Sequence, residues 1–236
     1  MSLRDRLRRS EEWLLAAVFP RGTLCLICGG LSHGESLCDS CRERLAGARL
    51  TGSLCPVCGH PAQDGGCRFC RGQSPCRMRS VWRHEDAAMI LIHRLKYQAV
   101  ADCALPLARG IAEVARTMAL PPDTVVTWVP MPRKRLRARG IDHGRVLAEE
   151  TARLLGLPCE RLLIRRGEGH TQHGLNRAER LRNLTGAFAC QGRLTRPVLL
   201  VDDVMTTSAT ARSCAACMKA AGAPEVVVIT ATQAGG

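Results

Sequence analysis

Between residues 25 and 70 the chain carries four Cys-x-x-Cys pairs: Cys25/Cys28, Cys38/Cys41, Cys55/Cys58 and Cys67/Cys70. Two thiolates separated by two residues on a tight turn approach one metal ion from the same side, and a second such pair completes the tetrahedron that zinc prefers. Gly29 and Gly59, each directly after the second cysteine of a pair, provide the unhindered backbone those turns need. Four cysteines per ion leave no open coordination position, so the spacing predicts two structural Zn2+ ions and no zinc catalysis. A short stretch rich in Gly and Arg cannot bury enough apolar surface to fold alone, and the metal takes the place of a core. Sequential pairing of the sets closes shorter loops than an interleaved Cys25/Cys28 with Cys55/Cys58 arrangement, which stays open as the alternative. His33 and His60 each stand beside a complete set of four and are expected to be exposed polar residues.

A disulfide-rich secreted scaffold is a poor explanation of the cysteines. Nine of the fourteen precede residue 77, and no export signal precedes them. In MSLRDRLRRSEEWLLAAVFP the acidic Glu11 and Glu12 interrupt the basic start, the apolar run from Trp13 to Phe19 is short, and no small-residue cleavage site follows. Residues 1–20 are expected to form an amphipathic lead helix ended by Pro20. Nothing else approaches the ~20 apolar residues that span a bilayer; no membrane insertion and a cytoplasmic location are expected. Cys76, Cys103, Cys159 and Cys190 are isolated and read as small buried residues. Cys214 and Cys217 lack a partner pair and read as the packed face of a helix in ARSCAACMKAAG.

Residues 21–76 are thus expected to form a double zinc ribbon and residues 77–236 a second domain. There the apolar periodicity predicts helices over 87–97, 102–118, 141–155 and 210–221, and strands over 125–129, 197–201 and 225–232. Strands that are apolar throughout, separated by helices, imply an α/β parallel sheet covered on both faces, with ligands at the carboxyl ends of its strands. The charge is +13 overall, and residues 133–182 hold 13 Lys/Arg against 6 Asp/Glu. That excess suits a polyanion or a phosphate-rich ligand, or else solvated arginine-rich helix faces. Seven aromatic residues in all are too few for a base-stacking platform.

The strand VLLV delivers Asp202 and Asp203 to a hydroxyl-rich turn, Val204, Met205, Thr206, Thr207, Ser208, Ala209 and Thr210, that opens a helix. Backbone N–H groups at a helix start and the hydroxyls of such a turn cradle a phosphate monoester. Adjacent carboxylates accept hydrogen bonds from neighbouring sugar hydroxyls, directly or through hydrated magnesium. Together these features describe a ribose 5-phosphate binder.

These residues resemble the 5-phosphoribosyl 1-pyrophosphate (PRPP) loop of type I phosphoribosyltransferases. CLICGG, LCDSC, CPVCG, LIHRLKY, VPMPRKRLRARG, Thr171-Gln172 with RLRN ahead of GAF, and VDDVMTTSAT extend the resemblance over the whole chain to the ComF family of competence-associated proteins. The resemblance implies a type I phosphoribosyltransferase-like parallel sheet behind a small zinc-ribbon domain, with Asp202 and Asp203 as the catalytic acids. It implies PRPP with Mg2+ as ligand, held by Thr206, Thr207, Ser208, Ala209 and Thr210. It places the pyrophosphate loop at VPMP and a closing segment with Arg165, Arg166, Thr171 and Arg180 over the diphosphate. The chain departs from the family at Ser208, where glycine is usual, and at Arg139 to His143, where RGIDH replaces RGFNQ. If position 208 needs a left-handed backbone, serine costs about 1 kcal/mol there. After the last strand no hood segment for an acceptor is discernible. Two functions compete: a phosphoribosyltransferase of unknown acceptor, and a non-catalytic PRPP-sensing or scaffolding module whose ribbons contact DNA or a competence helicase.

Overall fold

The computed structural model describes residues 23–62, 67, 70, 74–166 and 187–235. The lead helix expected over 1–20, Thr171, Gln172 and Arg180 lie outside them. The elements in chain order are α1 (Asp39–Gly47), β1 (Arg77–Arg83), α2 (Asp86–Tyr97), a 3-10 turn (Ala101–Cys103), α3 (Ala104–Thr117), β2 (Val125–Trp128), α4 (Arg133–Arg139) and α5 (His143–Leu155). They continue with β3 (Leu163–Arg165), β4 (Phe188–Cys190), β5 (Val198–Met205), α6 (Ala209–Ala220) and β6 (Val226–Gln233).

Four strands form one parallel sheet in the order β1-β6-β5-β2, as the apolar runs predicted, and β3 pairs with β4 in a separate antiparallel hairpin. One face of the sheet is covered by α2, α3 and α5, with Leu91, Leu95, Leu107, Ile111 and Leu147 fully buried against Val201, Val227 and Ile229. The other is covered by α6 and the hairpin, through Met218, Cys214, Leu163 and Phe188. Each face therefore buries its own apolar stripe, and both lateral edges are closed. Residues 48–50 run antiparallel along the outer edge of β1, with Leu50 N donating to Val81 O (2.9 Å) and Arg83 N to Ala48 O (2.8 Å). At the other edge Glu160 N donates to Val126 O (3.0 Å) and Val126 N to Pro158 O (2.9 Å). An open edge would offer unpaired backbone groups to another chain.

α1, β1, α4, β3 and β4 were not among the expected elements, and β5 runs past its expected end. β1 begins at Arg77, ahead of the apolar signal at Val81, because its polar residues alternate with buried ones. α4 buries none of its residues, so no periodicity marks it. The expected strand at 197–201 continues to Met205, because Asp202, Val204 and Met205 stay in register with Thr230, Thr232 and Gln233 of β6. The acid pair thus lies inside a strand and not in the loop after it.

Candidate functional site

The cysteines gather as two sets of four, Cys25/Cys28/Cys38/Cys41 and Cys55/Cys58/Cys67/Cys70, with the sulfurs of each set within 4.8 Å of one another. The sequential pairing holds. Four sulfurs at the ~2.3 Å Zn–S distance of a tetrahedral site lie about 3.8 Å apart. The Sγ separations are 3.8 Å for Cys28–Cys38, 3.6 Å for Cys55–Cys70 and 3.3 Å for Cys58–Cys67, which suits zinc. One turn is used twice: Gly29 N donates to Cys25 O and Gly59 N to Cys55 O, both at 3.0 Å, while Cys25 N reaches Gly30 O and Cys55 N reaches His60 O. Backbone N–H groups also point at sulfur, Ile27 to Cys25 and Gly30 to Cys28, both at 3.4 Å. Burial, helped by the neighbouring thiols, pushes the Cys41 thiol up to about 12. A divalent cation offsets that resistance to ionisation.

His60 is not an exposed residue. It is 1 % exposed, because the second ribbon lies on β1, where Met78 N donates to Val57 O (2.8 Å). His33 is exposed, as expected. Cys76 and Cys103 are buried; Cys159 and Cys190 are only partly so. Cys190 is not isolated either, since its sulfur lies 3.5 Å from that of Cys217 on α6.

At the carboxyl end of the sheet the two acids have separate surroundings, as successive residues of a strand face opposite ways. Asp203 is 6 % exposed. Lys96 Nζ, from the end of α2, stands 2.9 Å from its Oδ1, and His143 Nε2, from the start of α5, stands 2.7 Å from its Oδ2. Burial works to raise the Asp203 carboxyl, but His143 and the Lys96 charge outweigh it and hold it at about 2. Asp202 is partly buried; its Oδ1 accepts from Asp203 N (2.9 Å), and it has no ion-pair partner among the described residues. Burial, then the Asp203 charge, raises it to about 7. Asp203 thus belongs to a buried charge cluster, and Asp202 is the acid left for a ligand cation.

Beyond β5, Thr206 and Thr207 are exposed while Ser208 and Ala209 are buried. Ser208 has φ 55° and ψ 5°, the left-handed conformation that favours glycine, and its Oγ donates to Thr207 O (2.7 Å). α6 begins at the next residue, so the N–H groups of its first turn open beside Thr206–Ser208. Arg165, at the end of β3, is brought close to α4. Burial first, and the Arg135 charge second, lower its guanidinium, which also lies 5.3 Å from the Phe188 ring centroid. A like charge near Arg165 adds to the cost of its burial, which a bound anion would relieve. Arg166 is exposed, with its backbone N–H donating to Ala187 O.

Lys96 and His143 were not singled out as site residues in the sequence. Lys96 lies four residues after the buried Ile92 on an otherwise apolar helix stripe, and a cation there calls for a buried partner. His143 is the last residue of the RGIDH departure, and its ring takes the far oxygen of Asp203.

Residues 14–77 match the model of the double zinc ribbon domain. The chain is 33 % identical to DNA utilization protein YhgH of Salmonella typhi, over 87 % of this chain and 94 % of that one. It is 27 % identical to Competence protein F of Haemophilus influenzae, over 86 % and 94 %. Among solved structures, glutamine PRPP amidotransferase from B. subtilis is similar with 21 % identity and a TM-score of 0.40, over 58 % of this chain and 30 % of that one.

Proposed function

The chain belongs to the ComF family of competence-associated proteins, and from that premise we propose that its second domain binds PRPP with magnesium at the carboxyl end of β5, in the service of DNA uptake. The observation that carries the reading is the run from β5 into α6: a cation-free Asp202, a left-handed turn at Ser208, and a helix start directly behind it. A 5-phosphate takes the N–H groups of Ser208, Ala209 and Thr210, with the Thr206 and Thr207 hydroxyls beside them. Asp202 receives the ribose hydroxyls or a hydrated magnesium ion, and its carboxylate is of the hard-oxygen kind that magnesium selects. Magnesium bound with the diphosphate would supply charge neutralisation at the leaving group. Asp203, with both oxygens engaged, holds Lys96 and His143 in place around the sugar. Arg165 and Arg166, with Arg180, which lies outside the described residues, are assigned to the pyrophosphate by the family resemblance.

A second reading, a PRPP-sensing module without chemistry whose ribbons contact DNA or a competence helicase, draws on the double engagement of Asp203. Titration calorimetry of magnesium-PRPP against the zinc-loaded chain, followed by a pyrophosphate-release assay, separates the two. Asp202→Asn should weaken binding at least about tenfold, the scale of a lost charge-assisted contact, while Ser208→Gly should leave it equal or tighter. Unchanged affinity in Asp202→Asn would sink the site. Asp203→Asn is a poor test, because it strands the Lys96 cation and also removes the carboxylate beside His143.

A further inference from the structure

Eight of the fourteen cysteines belong to the zinc sets, and outside them Cys190 and Cys217 meet. Cys190 ends β4, in register with Leu163 of β3, and the residue after it fixes the backbone there, Gln191 N donating to Leu162 O at 2.9 Å. Cys217 lies in the last turn of α6, the helix that packs against this hairpin. Their sulfurs are 3.5 Å apart. The ~2.05 Å bond of a disulfide is roughly 1.5 Å shorter, a gap that small side-chain rotations close. The two residues are 27 apart in the chain and sit on different elements, so packing makes their contact and no local turn does. Both are partly open to solvent, whereas Cys214, one turn earlier on α6, is fully buried. An oxidant in solution therefore reaches the pair and not Cys214. Burial first, and the Cys217 thiol second, raise the Cys190 thiol above its ordinary range. Cys190 thus keeps its proton, and Cys217 is the sulfur that meets the oxidant.

We propose that Cys190 and Cys217 are a modification site, a dithiol that a hydroperoxide converts to a disulfide and a dithiol reductant restores. In the first step the Cys217 sulfur bonds to one peroxide oxygen, the O–O bond breaks, and the other oxygen leaves as water with the Cys217 proton. In the second the Cys190 sulfur bonds to that of Cys217, the S–O bond breaks, and the oxygen leaves as water with the Cys190 proton. Each sulfur gives up one electron, and the peroxide is reduced to two waters. The new bond closes a ring from residue 190 to residue 217 that contains β5, the acid pair and the hydroxyl turn. It ties the β3–β4 hairpin to α6 and removes the openings in which β4 leaves the helix. The inference stands apart from the phosphoribosyl reading, since neither sulfur is assigned to that site.

Hydrogen peroxide, added to the zinc-bearing chain and followed by alkylation of the remaining thiols, is the probe. Peptide mapping without reductant should show Cys190 joined to Cys217, with fragmentation between Cys214 and Cys217 marking which helix cysteine is bonded. Dithiothreitol should restore both thiols. Cys190→Ala and Cys217→Ala should each abolish the link, and Cys214→Ala should leave it in place. The wild-type map reads the bond directly, so it decides the outcome even where a variant fails to fold. Exchange of the Gln191 amide should slow at least about tenfold when the wild type is oxidised, and stay unchanged in Cys190→Ala. Thiols at both positions that survive peroxide, a bond from Cys190 to Cys214 or to a second chain, or a link that leaves Gln191 exchange unaltered would each overturn the proposal.

Discussion

At Asp202 the raised carboxyl has a consequence for stability. An acid whose folded-state value lies above its unfolded one binds more protons when folded, so stability falls as pH rises from its ordinary 3.8 toward about 7, and the deficit persists above that. Asp202→Asn keeps an oxygen to accept from Asp203 N and removes the charge. The variant should be more stable than the wild type by about 1–2 kcal/mol at pH 8, discounted because the side chain is partly open to solvent, and equal to it at pH 4. Urea unfolding at the two pH values checks this, and an equal gain at both would contradict it. The same change should weaken PRPP binding, so stability and function pull in opposite directions at this residue, as is common where charge is buried for binding. Ser208 is not such a residue: glycine would hold its left-handed backbone without strain and should leave binding equal or tighter, so there the two run together.

The two knuckle turns share a backbone but not an environment. Gly29 and Gly59 have φ of 73° and 69°. A Cβ on Gly29 would meet nothing within 4 Å, whereas one on Gly59 would lie 2.7 Å from Met78 O and 3.1 Å from Arg79 Cα. Gly29→Ala should therefore cost only the left-handed strain, about 1 kcal/mol. Gly59→Ala should cost more, about 2–4 kcal/mol, because the second ribbon must lift from β1. Chelator-induced zinc release, followed with a coloured indicator, should be faster in Gly59→Ala than in Gly29→Ala. Equal rates would mean that the docking of the second knuckle on β1 contributes nothing to metal retention.

Over the whole molecule the ribbons and the sheet share their cores. Cys25, Cys41, Leu37 and Leu45 of the first ribbon join the α2–α3–α5 side, while Cys55, Cys58 and Cys70 of the second join the α6 side, so the ribbons straddle the β1 edge. α2 links the first ribbon to the site, since Arg94 Nη1 donates to Leu26 O in the knuckle (2.5 Å) and Lys96, two residues on, meets Asp203. Arg44 and Asp86 add an ion pair between α1 and the start of α2. Removing zinc should then loosen β1 selectively. After chelation, amide exchange should quicken at Met78 and Arg83, whose N–H groups donate to Val57 O and Ala48 O, while the β5–β6 amides remain protected. Protection at Met78 and Arg83 that survives chelation would show that the edge does not depend on the metals.

The local signals were the legible ones. Cys-x-x-Cys spacing specifies a metal turn by itself, because the ligands and the turn lie within a few residues of one another. The apolar runs of β5 and β6 and the stripes of α3 and α5 likewise report their elements, since burial on both faces of a parallel sheet leaves no other pattern. The acid pair and the hydroxyl turn could be found together because they are contiguous in the chain. Long-range contact decided the rest. Lys96 and His143 lie 107 and 60 residues from Asp203 along the chain, and only the meeting of α2, α5 and β5 turns the three into one buried cluster. That meeting is also what separates Asp203 from Asp202, a distinction invisible in the doublet itself, because a carboxylate's ionisation depends on which cations the fold brings within a few ångströms. His60 and β1 follow the same logic: what buries them is a neighbour supplied by tertiary packing, which no periodicity in their own segment records.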